Sequence, residues 1–282
     1  MNREVIYETK GMRATDGAGV QLVRVFGNRT TDIYDPFLMF DAFDSKDKSE
    51  YEAGFPMHPH RGIETVSFLS KGEMTHRDHL GIEATIYDGE AQWLTAGSGA
   101  EHEEMPGGER ILGAQLWLNL PAKDKMSASP AYHSITNKEI KEFKLEGGKL
   151  RLITGKYRNE EGWQGKYLPL DFYDIHLEAN ASVEIPVRDG WSAFVFTLLG
   201  DVTVGGKPIS EKTAAKLGDG DGVLLETKES GAEILIYASK RLDEPVAWYG
   251  KIVMHTEAQI RQAFEDLNAG TFIKEKADYG NQ

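Results

Sequence analysis

Apolar residues along the chain recur mostly with period two. Short runs rich in β-branched and aromatic residues lie at 20–26, 65–69, 84–87, 114–120, 149–153, 172–177, 193–198, 222–226 and 233–238, and Gly, Asp, Asn or Pro punctuates the gaps. Many short strands at this spacing predict an all-β protein of sandwiches or barrels. One segment has a different period. Thr256-Glu-Ala-Gln259 reads as a capping box, Ile260, Ala263, Phe264 and Leu267 then fall on one helical face, and Gly270 sits where a C-terminal cap belongs. A helix is predicted over about 257–268. The stretch 138–148 (KEIKEFKLEGG) is polar and lacks a strong strand pattern. With 282 residues, two domains are expected, and the boundary is placed near 135–145, giving domains 1–137 and 138–282.

A faint internal repeat fits two similar domains. Gly62 to Gly72 matches Gly190 to Gly200 in glycine spacing and apolar phase, Asp88-Gly89 has a counterpart in Asp219-Gly220, and Gly99-Ala-Glu-His102 aligns with Gly231-Ala-Glu-Ile234. On that alignment His58 and His60 fall against Pro186 and Arg188, and His102 and Glu104 against Ile234 and Ile236. None of the four replacements can ligate a metal through its side chain, so the second domain is expected to bind none.

Charge changes the picture by exclusion. The formal net charge is −13, from 32 basic and 45 acidic residues, with no run of five or more Lys and Arg. Binding nucleic acid through its phosphates, or an anionic membrane surface, needs the opposite field. The chain has no cysteine, which removes disulfides, thiolate metal sites and thiol nucleophiles. No apolar segment follows the N-terminus as in a secretory signal, and no stretch approaches a membrane span. A cytoplasmic protein is expected.

The candidate chemistry lies in two pairs, His58 with His60 and His102 with Glu104, each two residues apart. On a strand, residues i and i+2 share a face. Two such strands can therefore aim three imidazoles and one carboxylate at one point on a barrel's inner wall. That set suits a first-row transition metal and leaves room for water or substrate. Glu64 satisfies the same strand parity, so parity does not choose between the two carboxylates.

His58-Pro-His-Arg-Gly62, followed by Glu64 and Gly72, resembles the first cupin motif, and Gly97 followed by His102 resembles the second. The closer resemblance is to the pirin family. It rests on Asp35-Pro-Phe-Leu, His58-Pro-His-Arg-Gly62, Glu64-Thr-Val, His76-Arg-Asp78, Gln92-Trp93, Thr95-Ala-Gly97, His102-Glu-Glu104-Met-Pro106 and Gln115-Leu-Trp-Leu-Asn-Leu-Pro121, with Ile260-Arg-Gln-Ala-Phe264 in the helix. The match is dense in the first domain and sparser in the second. It departs from general cupins at Thr95, where proline is common, and from pirins at Gly99-Ala-Glu101, where a bulky apolar residue usually precedes the histidine. Glu101 would face away from the ligand side by strand alternation.

The resemblance implies two cupin (double-stranded β-helix, jelly-roll) barrels packed together, with a short C-terminal α-helix. It implies one divalent metal per chain in the N-terminal barrel, held by His58, His60, His102 and Glu104. Iron is the usual metal, and Cu, Mn, Ni, Co or Zn would suit the same donors. Glu104 becomes the carboxylate ligand and candidate catalytic base, and Glu64 is placed behind the ligands. Two functions follow from the family. One is a quercetin 2,3-dioxygenase activity on a flavonol and O2. The alternative is a metal- or redox-sensing regulator that acts through a protein partner, such as a transcription factor or enzyme.

The remaining candidates are read as structural. His76 and His79 lie in a strand and turn, and His76 is expected to be hydrogen-bonded. His133, His176 and His255 are expected at the surface or in loops. Trp93, Trp117, Phe55 and Met57 are expected in the core rather than lining a pocket, Lys123 to Lys125 in a solvated turn, and Asp221-Gly222 in a turn. Arg61 either orients a ligand or makes a salt bridge.

Overall fold

The computed structural model describes residues 2–275. Antiparallel strands dominate it, and the chain divides into two compact units, neither of them contiguous in sequence. One unit comprises residues 13–22, 37–136 and the chain from Asp243 onward; the other comprises the N-terminal residues up to Met12, 23–36 and 137–242. The expected division into 1–137 and 138–282 is thus crossed at both ends. Local pairing explains each crossing. Val5–Lys10 pairs antiparallel with Thr213–Leu217, and the Arg3 guanidinium donates to the carbonyls of Trp191, Gly218 and Gly220. At the other end, Val253 is buried with Leu38, Met39, Ile63 and Trp117, Arg61 forms a bridge with Ile252, and Ile260 and Ala263 of the helix pack on Ala247, Ile252 and Met254 of the same segment.

That helix runs Glu257–Asn268, and its capping box forms: the Thr256 side chain accepts from the Gln259 amide, and the Gln259 side chain caps Thr256 in return. Gly270 follows with φ +68, the left-handed cap expected of a glycine. The strand pattern is also met: Val20–Phe26 and Gly222–Glu226 have the expected bounds, the runs at 84–87 and 114–120 end one residue late, and the other runs lie inside longer strands. The polar stretch at 138–148 departs from expectation. Lys141–Leu145 is a strand that pairs antiparallel with Gly148–Thr154. Only Phe143 and Leu145 face the core there, so the segment carries half the apolar signal of a central strand.

The sheet that carries His76, His102 and Glu104 runs in the order Ala131–Ile135, Glu90–Thr95, Ile63–Asp78, Ala100–Asn119, Phe37–Ser45, Val20–Phe26, Met12–Asp16. Phe55–His60 also pairs with Ala100–Asn119. The two long strands pair over most of their length, with register shifts on either side of Lys71. Gly72 occupies this irregularity at φ +107, where an added Cβ would lie 2.5 Å from the Arg110 carbonyl. Only glycine allows the bend there. The second unit has a seven-stranded sheet and a four-stranded sheet around its own core, which includes Ile175, Val195, Val223, Leu225, Ile234 and Ile236.

Candidate metal centre

Register places the site. His58 lies opposite His102 across the Phe55–His60 and Ala100–Asn119 strands, and Phe55 lies opposite Glu104. On the other side, Ile63–Asp78 sets His76 opposite Glu104 and Asp78 opposite His102. Ala100, His102 and Glu104 are buried while Glu101 and Glu103 are only half-buried, so strand alternation sends the two groups to opposite faces.

The rings of His58, His60 and His102 lie 4.5–5.1 Å apart, centre to centre. One nitrogen from each falls within 4.8 Å of the other two, and the Nε2 atoms of His58 and His60 are 3.1 Å apart. The partners assign the tautomers. His58 Nδ1 donates to the Pro56 carbonyl at 2.8 Å, and His60 Nδ1 donates to the Lys251 carbonyl at 3.0 Å. A carbonyl only accepts, so each ring keeps its hydrogen on Nδ1 and turns the Nε2 lone pair inward. His102 Nε2 is buried with no hydrogen-bond partner among the described residues. All three pKa values are lowered, by burial first. Lys251 adds to the effect at His58, His58 at His60, and His60 at His102. Neutral imidazoles with converging lone pairs are the form in which histidine binds a metal, so the residues fit such an ion.

Glu104 lies outside the three-histidine cluster. It is two residues beyond His102 on the same strand face and buried. Its Oε1 accepts from Ser67 Oγ at 3.0 Å and Gln92 Nε2 at 2.6 Å, and its Oε2 from Gln115 Nε2 at 2.8 Å. All three partners donate, so both carboxylate oxygens act as acceptors. Glu64 has the contrasting environment. Trp93 Nε1 and Thr95 Oγ1 both donate to its Oε1, while Oε2 is buried without a hydrogen-bond partner. Burial pushes the Glu64 carboxyl up to about 7, against the pull of those two donors. Gln92, Gln115, Ser67 and the Lys251 carbonyl were absent from the sequence reading as site components. Gln92 and Gln115 stand in the family block, and strand parity could have placed both beside Glu104.

Other expectations divide. His76 is fully buried and hydrogen-bonded, with Nε2 2.9 Å from Asp78 Oδ2. Arg61 makes the salt bridge: it binds Asp266 at 2.8 Å and the Phe272 carbonyl at 2.8 Å, with its guanidinium 4.2 Å above the Phe272 ring. Trp93, Trp117 and Phe55 are buried, but Met57 is exposed. Lys125 corrects the solvated-turn reading. It is fully buried and donates to Gly62 O, Asn119 Oδ1 and Val253 O, three acceptors that match the three protons of an ammonium. His133 lies in the Ala131–Ile135 strand and His176 in Leu170–Leu177, not in loops. His176 forms a second cluster with Asp174 and Glu233. There Arg151 reaches Asp174 at 3.3 Å. The Asp174 hydrogen bond and charge push His176 up although burial opposes them. The Arg151 guanidinium already supplies positive charge to Asp174, so this cluster reads as an ion-pair network.

Two units of packed antiparallel sheets, one carrying inward-facing histidines from its paired strands, define a bicupin. The chain belongs to the pirin family. The Pirin family model matches residues 19–118, and the Pirin C-terminal cupin domain matches residues 172–273. A pirin-like protein of Caulobacter vibrioides is 39% identical over 277 residues, covering 96% of this chain and 99% of the relative. A Pseudomonas aeruginosa protein provisionally named quercetin 2,3-dioxygenase is 38% identical, covering 95% and 97%. The crystal structure of quercetin 2,3-dioxygenase from Acinetobacter baumannii, 31% identical, superposes with a TM-score of 0.88 over 99% of this chain and 100% of that one.

Proposed function

We propose that this chain is a metal-dependent dioxygenase of pirin type that cleaves quercetin-like flavonols with O2. His58, His60, His102 and Glu104 would hold one divalent transition metal in the histidine-bearing unit, with iron as the first choice and Cu, Mn, Ni, Co or Zn compatible with the same donors. The observation that supports this reading is the convergence of three neutral imidazoles, those of His60 and His102 buried and that of His58 half-buried, with the Nδ1 hydrogens of His58 and His60 engaged by backbone carbonyls. The bound ion would supply an open coordination position for an oxygen donor and an electron source for dioxygen chemistry.

The chain's own residues do the rest. Three neutral imidazoles and one carboxylate leave a divalent centre with a net charge of about +1, which favours a deprotonated hydroxyl over a neutral one. Glu104 Oε2 accepts one side-chain hydrogen bond where Oε1 accepts two, so Oε2 is the atom with room for the flavonol 3-hydroxyl proton. Gln92, Gln115 and Ser67 hold that carboxylate in place while the proton moves.

The test is dioxygen uptake by iron-loaded protein with quercetin and several other flavonols, against a chelated sample. Uptake above the chelated control, lost in Glu104→Gln, is expected. No uptake above control across the series would remove the enzyme reading and leave the regulatory one.

A further inference from the structure

Each of the three histidines has a partner at Nδ1, but the partners differ in kind. His58 and His60 give theirs to backbone carbonyls. His102 faces another imidazole: His102 Nδ1 and His76 Nδ1 are 3.4 Å apart, at the long end for a hydrogen bond. Two facing nitrogens need one hydrogen between them, and nothing in that pair alone decides which ring carries it. The next residue decides. His76 Nε2 lies 2.9 Å from Asp78 Oδ2, with both side chains buried. Asp78 Oδ1 accepts the backbone amides of Leu80 and Ile82 at 2.9 and 3.2 Å. A carboxylate accepting on both oxygens places the hydrogen on His76 Nε2. His76 Nδ1 is then an acceptor, His102 must donate from Nδ1, and His102 Nε2 is left as a bare lone pair. Tyr132 stacks on His76 at 4.1 Å and 17°, which holds the ring in the plane this chain of bonds requires.

We propose that Asp78 and His76 are positioning residues that lock His102 in its Nδ1–H tautomer. They thereby set how strongly His102 donates to the metal, an inference that rests on the metal reading above. The chain of bonds is directional. Asp78→Asn keeps the size, and its carbonyl oxygen stays with the Leu80 and Ile82 amides, so its NH2 turns to His76 Nε2. That reverses His76, which now presents Nδ1–H to His102, and His102 is driven to the Nε2–H tautomer that cannot ligate.

The tautomer of His102 is read from ring 15N chemical shifts in metal-free protein, and affinity from cobalt(II) titration against a chelator, with the visible cobalt spectrum as a third readout. Wild-type protein should show Nδ1–H at His102. Asp78→Asn should show Nε2–H, an unchanged melting temperature, and a cobalt affinity lower by roughly 10–100-fold. His76→Leu, which removes the acceptor, should lose affinity to a similar extent. His76→Asn can return a carbonyl oxygen near the place of Nδ1, and should recover most of the affinity with the Nδ1–H tautomer intact. The proposal is overturned if wild-type His102 is already Nε2–H. It is equally overturned if Asp78→Asn leaves tautomer and affinity unchanged, or if His76→Leu binds cobalt as wild type does. The tautomer measurement needs no metal, so its failure is separate from a failure of wild-type protein to bind cobalt at all.

Discussion

Glu104 and Glu64 share strand parity and depth but meet opposite surroundings, and each gives a prediction. Glu104→Gln places an amide NH2 among three donors from Ser67, Gln92 and Gln115. At least one buried donor then loses its acceptor, which costs about 1–3 kcal/mol. Denaturant melts of the metal-free variant should show that loss while the fold persists, and metal affinity should fall with it; an unchanged midpoint would contradict the hydrogen-bond assignment. For Glu64 the sign runs the other way. Its folded pKa of about 7 lies above the ordinary 4.5, so the folded state holds the proton more tightly than the unfolded one. The resulting stabilisation is complete below pH 4.5 and is lost as pH rises through 7, a change of about 3 kcal/mol. Glu64→Gln cannot titrate. The stability of metal-free wild type minus that of Glu64→Gln should therefore fall by that amount from pH 4.5 to 7.5, and a flat difference would show that Glu64 ionises normally. The ligand candidates themselves were readable from two i, i+2 pairs. Their hydrogen-bond partners were not, because the carbonyls of Pro56 and Lys251 are backbone atoms that any residue supplies.

Among the elements, the C-terminal helix was legible in itself and illegible in its placement. Thr256 and Gln259 set its start and Gly270 its end, all within fifteen residues of one another. Its docking partner is Arg61, far away in sequence, through the Asp266 ion pair. No local pattern announces such a contact. The same segment supplies the Lys251 carbonyl to His60, and Arg61 is the residue after His60. The segment is therefore part of the site's support, and the sequence reading had assigned it to the other domain. Asp266→Ala would leave a guanidinium buried without its carboxylate, at a cost of about 3–5 kcal/mol. Thermal melts should register the loss, and cobalt(II) affinity should fall as the segment behind His60 loosens. Wild-type values on both counts would mean that the helix is an appendage.

For the whole molecule, the internal repeat survives in the backbone where it fails in the side chains. Gly62, Gly72, Gly190 and Gly200 all take positive φ, so the matched glycines do matched work. The counterparts of His102 and Glu104, Ile234 and Ile236, are fully buried in the second unit's core. Apolar side chains fill the position that donors occupy in the first unit, and one metal per chain is the expected stoichiometry. Fold class and the two-barrel plan were legible because period-two patterning and glycine spacing are local properties. The exchange of terminal segments was not, because strand pairing across 200 residues leaves no local trace. The most direct test of the metal centre is a crystal structure of protein purified with its own metal, with anomalous diffraction measured at that metal's absorption edge. One peak per chain is predicted, with the Nε2 atoms of His58, His60 and His102 at about 2.0–2.1 Å and a Glu104 oxygen at about 2.0–2.2 Å. A peak coordinated by Glu64 with Glu104 turned away, or one at Asp174, His176 and Glu233, would contradict the account.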